Sequence, residues 1–213
     1  MSKYDDFFAK PYQEKMKVKN FLSQIKFIKR YLGKPRWDTG ISPPELLTYL
    51  DTHVPGNALD LGCGTGTNLV TLGKRGWLPA GIDFVPQAVW HARRKLAKNH
   101  IHGKVIFGDV TSYHLFPYQF ALVLDVGCFH GLQAEMKIRY IENLPRYLIP
   151  GGEFLLYAHR KVNPDGDHGI EASDLSRLST TLTECKLIET FETWKDTPGF
   201  RLPALWALYR KEA

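Results

Sequence analysis

Asn57-Ala58-Leu59-Asp60-Leu61-Gly62-Cys63-Gly64-Thr65-Gly66 is the stretch on which the reading of this chain turns. Ala58 to Leu61 is short and mainly apolar, as expected of a buried strand. Three glycines then alternate with small residues, so the backbone can turn sharply and let a ligand approach closely. The residues that follow suit a helix, whose first N–H groups and positive dipole end would face the turn. Asp60 sits where the strand ends.

Outward from this turn, strands and helices alternate. Asn68 to Arg75 reads as helix, closed by Gly76. Trp77–Asp83 is the second strand, and Pro86 to about Asn99 the next helix. Lys104–Phe107 is the third strand, ending in Gly108-Asp109-Val110. Phe120–Val126 is almost wholly apolar, as a strand covered on both faces of a parallel sheet should be. Gln133 to Leu144 has helical spacing, and Pro145 is expected to end or kink it. Pro150-Gly151-Gly152 is expected to be a turn into a fifth strand, Glu153–His159. Ser173 to Leu182 follows as helix, and Lys186–Lys195 and Ala204–Arg210 as the last two strands. This alternation predicts a doubly wound α/β fold. Ahead of it, Ser42 is placed to cap a helix that carries prolines in its first turn and runs to about Asp51.

The chain has 213 residues, 44% hydrophobic and 23% charged, the balance of a globular protein with a real core. No apolar run approaches the roughly 18–20 residues of a membrane span, and Met1-Ser2-Lys3-Tyr4-Asp5-Asp6 has no secretory character. Cys63, Cys128 and Cys185 lie far apart and cannot all pair, which reads as free thiols in a reducing cytoplasm. The net charge of +6 is local: residues 1–40 hold ten Lys/Arg against four Asp/Glu, and the remainder is balanced. From Glu14 to Leu32 the apolar residues Val18, Phe21, Leu22, Ile25, Ile28 and Leu32 recur at helical spacing, with lysines on the other face. Residues 1–34 are therefore expected to form an amphipathic helical lid over a body at 35–213. The lysine face reads first as solvated, with an anionic substrate, peripheral membrane contact and a polyanion as the alternatives.

The glycine turn alone does not name its ligand. The dinucleotide fingerprint is G-x-G-x-x-G, and Thr67 stands where its third glycine would fall. Asp60 discriminates better. A carboxylate beside the turn opposes a pyrophosphate but favours a ligand carrying an ammonium and a sulfonium, as S-adenosylmethionine does. Asp83 suits ribose hydroxyls and Asp109 an adenine amino group, while Asp125 and Val126 would lie near the methionine end. The bland alternative is that these strand-end acids only cap the helices that follow.

Ala58-Leu59-Asp60-Leu61-Gly62-Cys63-Gly64-Thr65-Gly66 resembles the first motif of the class I S-adenosylmethionine-dependent methyltransferases. Gly81-Ile82-Asp83-Phe84 is similar to their second motif and Gly108-Asp109-Val110 to their third; Asp125-Val126-Gly127 and Leu148-Ile149-Pro150-Gly151-Gly152 match later ones. The resemblance implies a Rossmann-like seven-stranded sheet with its last strand antiparallel. It also implies a cofactor site at Asp60, Gly62, Cys63, Gly64, Thr65, Gly66, Asp83, Phe84, Gly108, Asp109, Val110, Asp125 and Val126, with S-adenosylhomocysteine as product. Pro35-Arg36-Trp37-Asp38-Thr39-Gly40 and Asp125-Val126-Gly127-Cys128-Phe129-His130 resemble the thiopurine and tellurite-resistance types, which act on small molecules.

On this reading Trp37 would close over cofactor and acceptor, its ring face attracting the sulfonium. His130 is the candidate base, needed if the acceptor is an alcohol or amine and dispensable for a thiol. His159 is a weaker candidate and Tyr157 is expected in the core, while Arg201 and Trp206 would reach the acceptor mouth. His100-x-His102 lacks further ligands at metal spacing, so no metal is expected. The expected acceptor is a thiol, a chalcogen oxyanion or a phenol-like compound. The alternative is RNA or protein methylation using the basic N-terminus, although no nucleic-acid-binding module is seen. A dinucleotide-dependent oxidoreductase is the rival from another class.

Overall fold

Short apolar strands alternate with helices that bury one face each, and the result is a three-layer α/β arrangement. The computed structural model describes residues 39–112, 116–163, 166, 168–193 and 201–212; the unit discussed below is Gly40–Ala213. The expected lid at residues 1–34 and Trp37 lie outside the described residues.

In chain order the elements are α1 (Pro44–Thr52), β1 (Asn57–Leu61), α2 (Thr67–Lys74), β2 (Leu78–Asp83), α3 (Pro86–Lys98), β3 (Lys104–Phe107), β4 (Phe120–Val126), a 3-10 turn (Phe129–Gly131), α4 (Ala134–Tyr147), β5 (Leu148–His159), α5 (Ala172–Thr181), β6 (Thr183–Thr193) and β7 (Arg201–Arg210). The strands form one seven-stranded sheet in the order β3-β2-β1-β4-β5-β7-β6. β7 is antiparallel to both its neighbours, and the remaining pairings are parallel. This is the Rossmann-like sheet with an antiparallel last strand that the sequence implied.

Strand alternation sends successive side chains to opposite faces. On one face Leu59, Leu61, Val123, Phe154 and Leu156 pack with Tyr140, Ile141 and Leu144 of α4. On the other, Ala58, Leu122, Leu124 and Leu155 pack with residues of α1, α2 and α3. Phe120, Phe154 and Leu59 are fully buried, each such side chain being worth roughly 1.5–3 kcal/mol of hydrophobic free energy. The parallel order places the carboxyl ends of β1, β2, β4 and β5 on one edge of the sheet, the edge that carries ligands in doubly wound folds. β6 runs parallel to β5, so its end at Glu192 shares that edge.

Three local expectations are corrected. Helix α4 runs through Pro145 to Tyr147. Proline there costs only a hydrogen bond of the final turn, and Lys211 Nζ satisfies the end of the helix by donating to the carbonyls of Pro145 (2.7 Å) and Leu148 (2.8 Å). Pro150-Gly151-Gly152 lies inside β5 instead of before it: Phe120 pairs with Leu148 and Leu122 with Glu153, so the extra residues bulge out of the ladder. Ser42 caps nothing. The helix starts at Pro44 with Pro43 as its cap residue, and the buried Ser42 hydroxyl lies 2.9 Å from Asn68 Oδ1 and 2.8 Å from Thr71 Oγ1 on α2.

Candidate active site

Two features shape the glycine turn. Gly62 adopts φ +74°, and a Cβ there would lie 2.6 Å from Cys128 Cβ. Gly66, at φ +82°, would meet Ala92 of α3 at 2.9 Å. No other residue fits either place without displacing backbone or a short, rigid side chain, so the turn is held tight between β4 and α3. Gly64 donates its N–H to Asp83 Oδ2 at 2.9 Å, which ties the turn to the end of β2. Lys95 of α3 donates to Thr65 Oγ1 (2.8 Å) and Thr67 Oγ1 (3.0 Å).

Of the four acids expected to gather on this edge, Asp60, Asp83 and Asp125 are buried there. Asp109, exposed, accepts from the backbone and hydroxyl of Thr111 at 2.8 Å each. Asp83 Oδ1 takes the Val85 N–H at 2.8 Å. Asp125, fully buried, accepts from Cys128 N–H (2.8 Å), Phe129 N–H (3.0 Å) and Tyr140 O–H (2.6 Å). Burial raises its pKa to about 6 against these hydrogen bonds. Its carboxylate therefore holds the 127–131 turn, the capping job set aside in the sequence reading. It can shape the pocket, but both its oxygens are already engaged.

Asp60 differs. It is 1% exposed, and its Oδ2 has no hydrogen-bond partner among the described residues. Burial, followed by the charges of Asp125 and Asp83, raises its pKa to about 8, partly offset by a hydrogen bond from Asn68. Ser42 engages Asn68 Oδ1, which turns the amide nitrogen toward Asp60. An orphaned buried carboxylate oxygen is costly unless a ligand satisfies it. Beside two more carboxylates, that ligand should be cationic. A pyrophosphate would meet repulsion here, while the ammonium and sulfonium of S-adenosylmethionine fit. Gln87, which sequence reasoning passed over, also has a buried Oε1 without a partner, at the start of α3 just past Asp83.

His130 lies on the expected edge but is not arranged as a base. It is 6% exposed, and its Nδ1 accepts the backbone N–H of His159 at 3.0 Å. The neutral ring therefore carries its proton on Nε2 and has no lone pair left to offer. Burial, with His159 and His168 adding to it, holds its pKa well below the ordinary imidazole range. The expectation that His130 is the base gives way to a packing role: its ring stacks on His159 at 4.1 Å and 11°. His130, His159 and His168 bring one nitrogen each within 4.8 Å of one another, a grouping the sequence did not suggest. Two parallel stacked rings cannot both aim an in-plane lone pair at one ion, so as arranged the three do not form a common ligand set.

A cavity of about 290 Å³ lies on the same edge, lined by Pro43, Glu45, Val126, Tyr157, Thr190, Phe191, Glu192 and Trp206. Its wall follows the sheet register: Val126 pairs with Tyr157, and Tyr157 with Trp206. Tyr157, expected in the core, is half-buried and lines the cavity. Trp206 lines the cavity, and Arg201 stacks over Phe191 at 4.1 Å. Thr190–Glu192 of β6 were not anticipated, because only the insertion of β7 beside β5 brings this far strand to the pocket.

A methyltransferase-domain family matches residues 58–152. The 2-heptyl-1-hydroxyquinolin-4(1H)-one methyltransferase of Mycobacteroides abscessus is 24% identical over 79% of this chain and 77% of its own length. A ribosomal RNA small subunit methyltransferase C, from Alcanivorax borkumensis, is 34% identical over 51% of this chain, and the match spans only 34% of that protein. The N-methyltransferase NodS from Bradyrhizobium japonicum, solved with S-adenosyl-L-homocysteine, superposes with a TM-score of 0.73 at 20% identity, covering 90% of this chain and all of that one; it shares the fold. No helix among the described residues is long and apolar enough to cross a membrane. Residues 58–152 thus carry a methyltransferase domain, on a fold shared with an S-adenosylmethionine-dependent methyltransferase.

Proposed function

We propose that this enzyme methylates a small, flat, largely apolar molecule seated between α1 and the β5–β7–β6 side of the sheet. The observation that carries the reading is the cavity itself. It begins at Val126, at the end of β4, and is walled by Tyr157, Trp206 and Phe191. S-adenosylmethionine, when bound, supplies an electrophilic methyl group on a good leaving group. Asp60 would take its ammonium. The turn Gly62, Cys63, Gly64, Thr65 and Gly66 would line it closely. Asp83, with Phe84 and Gln87, would meet the ribose side, and Gly108, Asp109 and Val110 the adenine side. Val126 and the turn held by Asp125 would border the methionine end. The remaining work of the protein is to align the acceptor and exclude water; Trp37 is proposed to assist from the N-terminal segment. The relative from Mycobacteroides abscessus, named for a hydroxyquinolone, supports a small aromatic acceptor.

Two observations favour a second reading, RNA methylation: the partial match to a ribosomal RNA methyltransferase and the basic excess in residues 1–40. One experiment separates them. The full chain is given S-adenosylmethionine with phenols, aryl amines, thiols and structured RNA, and products are read by mass. Methylated small molecules support the first reading. Transfer to RNA alone, falling steeply with salt, overturns it.

A further inference from the structure

The cavity contains a carboxylate held by a chain of hydrogen bonds that the cofactor site does not use. Glu192 Oε2 accepts the Tyr157 hydroxyl at 3.0 Å and pairs with His159 Nε2. His159 Nδ1 in turn lies 3.2 Å from His168 Nε2. A carboxylate only accepts, so His159 Nε2 must donate to it. His159 Nδ1 and His168 Nε2 share the next contact of the chain. Tyr157 and His159 thus both donate to Glu192. The stack of His159 on His130, and the hydrogen bond from the His159 backbone to His130, fix the ring that makes the central contact. The side chains of His159 and Glu192 are 10% and 28% exposed, so the pair is partly shielded while the carboxylate keeps a route to water.

We propose that Glu192 takes the proton from the methyl acceptor, positioned by Tyr157 and His159, and that the acceptors are flat compounds methylated at a hydroxyl or amine and not at a thiolate. This rests on the small-molecule reading above and assigns to Glu192 the role that His130 cannot fill. The acceptor heteroatom forms its bond to the methyl carbon as the carbon–sulfur bond breaks, the electron pair of that bond staying on sulfur. The proton left on the heteroatom passes to the Glu192 carboxylate and from there to solvent. An acidic aryl thiol such as thiophenol is largely ionised near neutral pH and would need no such group. The aromatic wall of Tyr157 and Trp206, on the same face of the sheet as Glu192, would hold the flat acceptor beside it.

The test compares the full chain with its Glu192→Gln and Glu192→Asp variants on substituted phenols of graded acidity, on aniline and on thiophenol. Affinity for S-adenosylhomocysteine is measured by calorimetry alongside. Glu192→Gln should lower kcat on weakly acidic phenols and on aniline by on the order of 10²-fold or more. The loss should shrink as the phenol becomes more acidic and nearly vanish for thiophenol, with cofactor affinity unchanged within about twofold. Glu192→Asp should recover part of the activity. Turnover by the wild type with no loss in Glu192→Gln, or an equal loss on every acceptor, overturns the role of Glu192 alone. Wild-type turnover confined to thiophenol overturns the acceptor class. Transfer to RNA with no small molecule methylated overturns the underlying reading and this proposal together.

Discussion

His130 Nδ1 accepts the backbone N–H of His159 at 3.0 Å while the two rings stack, and this one contact decides what His130 can do. A buried neutral imidazole whose acceptor nitrogen is occupied contributes packing and a hydrogen bond. His130→Ala should therefore act on stability. It leaves a hole in a buried site and the His159 N–H unsatisfied, together costing about 2–4 kcal/mol. Thermal unfolding should show the loss. Turnover of acidic phenols, measured well below the new Tm, should stay within a few-fold. A hundredfold fall in kcat at native stability would restore His130 as the base.

On the proposed reading, Asp60 should make cofactor binding pH-dependent. Its carboxyl has a pKa of about 8 without ligand, so at pH 6 it is mostly protonated and must lose that proton to meet a cation. Affinity for S-adenosylhomocysteine should rise from pH 6 to 8, by at most about tenfold per unit, and level off above. Calorimetry in buffers of different ionisation enthalpy should report proton release on binding. The ligand-free protein follows the opposite trend. A carboxyl with a folded pKa raised above its ordinary 3.8 contributes stability that is fully present below that value and lost as pH rises to about 8. Asp125, raised to about 6, adds in the same direction between about pH 4 and 6 and little above that. Hence Tm without ligand should fall from pH 6 to 8, and the gain in Tm from saturating ligand should be larger at pH 8. Asp60→Asn should weaken binding by on the order of 10–100-fold, abolish the pH dependence, and leave the apo protein as stable as the wild type or more so at pH 8.

Gly62→Ala tests the turn. The new methyl would stand 2.6 Å from Cys128 Cβ at φ +74°, so both strain and a clash oppose it, about 2–3 kcal/mol together. Differential scanning calorimetry should show the lower Tm, and cofactor affinity should fall because the turn must open away from β4. Unchanged values of both would mean that the turn is not held as described.

How far the sequence could be read depends on the range of the interaction. β3 and β4 were legible to the residue because each is a local, mainly apolar run that ends at a glycine. Asp60 was legible as a buried acid at the end of β1, because its place follows from the turn beside it. The capping job of Asp125 was harder to see, since it depends on Tyr140 arriving from α4. Ser42 had a plausible local partner in the helix after it, and a distant one on α2 won. The contact between Glu192 and His159 spans thirty-three residues and exists only because β7 enters the sheet between β5 and β6. No periodicity along the chain records that insertion, so the cavity wall emerged only with the fold.

Phe191 offers the cleanest test of that wall, because little else depends on it. Its ring is 49% exposed on β6 and lies under the Arg201 guanidinium, so removing it opens no buried hole, and Tm should change by no more than about 2 °C. It borders the cavity beside Glu192, so Phe191→Ala should remove binding surface that the acceptor uses equally before and during methyl transfer. KM for phenols should rise several-fold with kcat within about twofold, the signature of uniform binding. Steady-state kinetics with one phenol and one thiol suffice. A fall in kcat at unchanged KM would place Phe191 against the reacting atoms instead, and no change in either would place the acceptor outside this cavity.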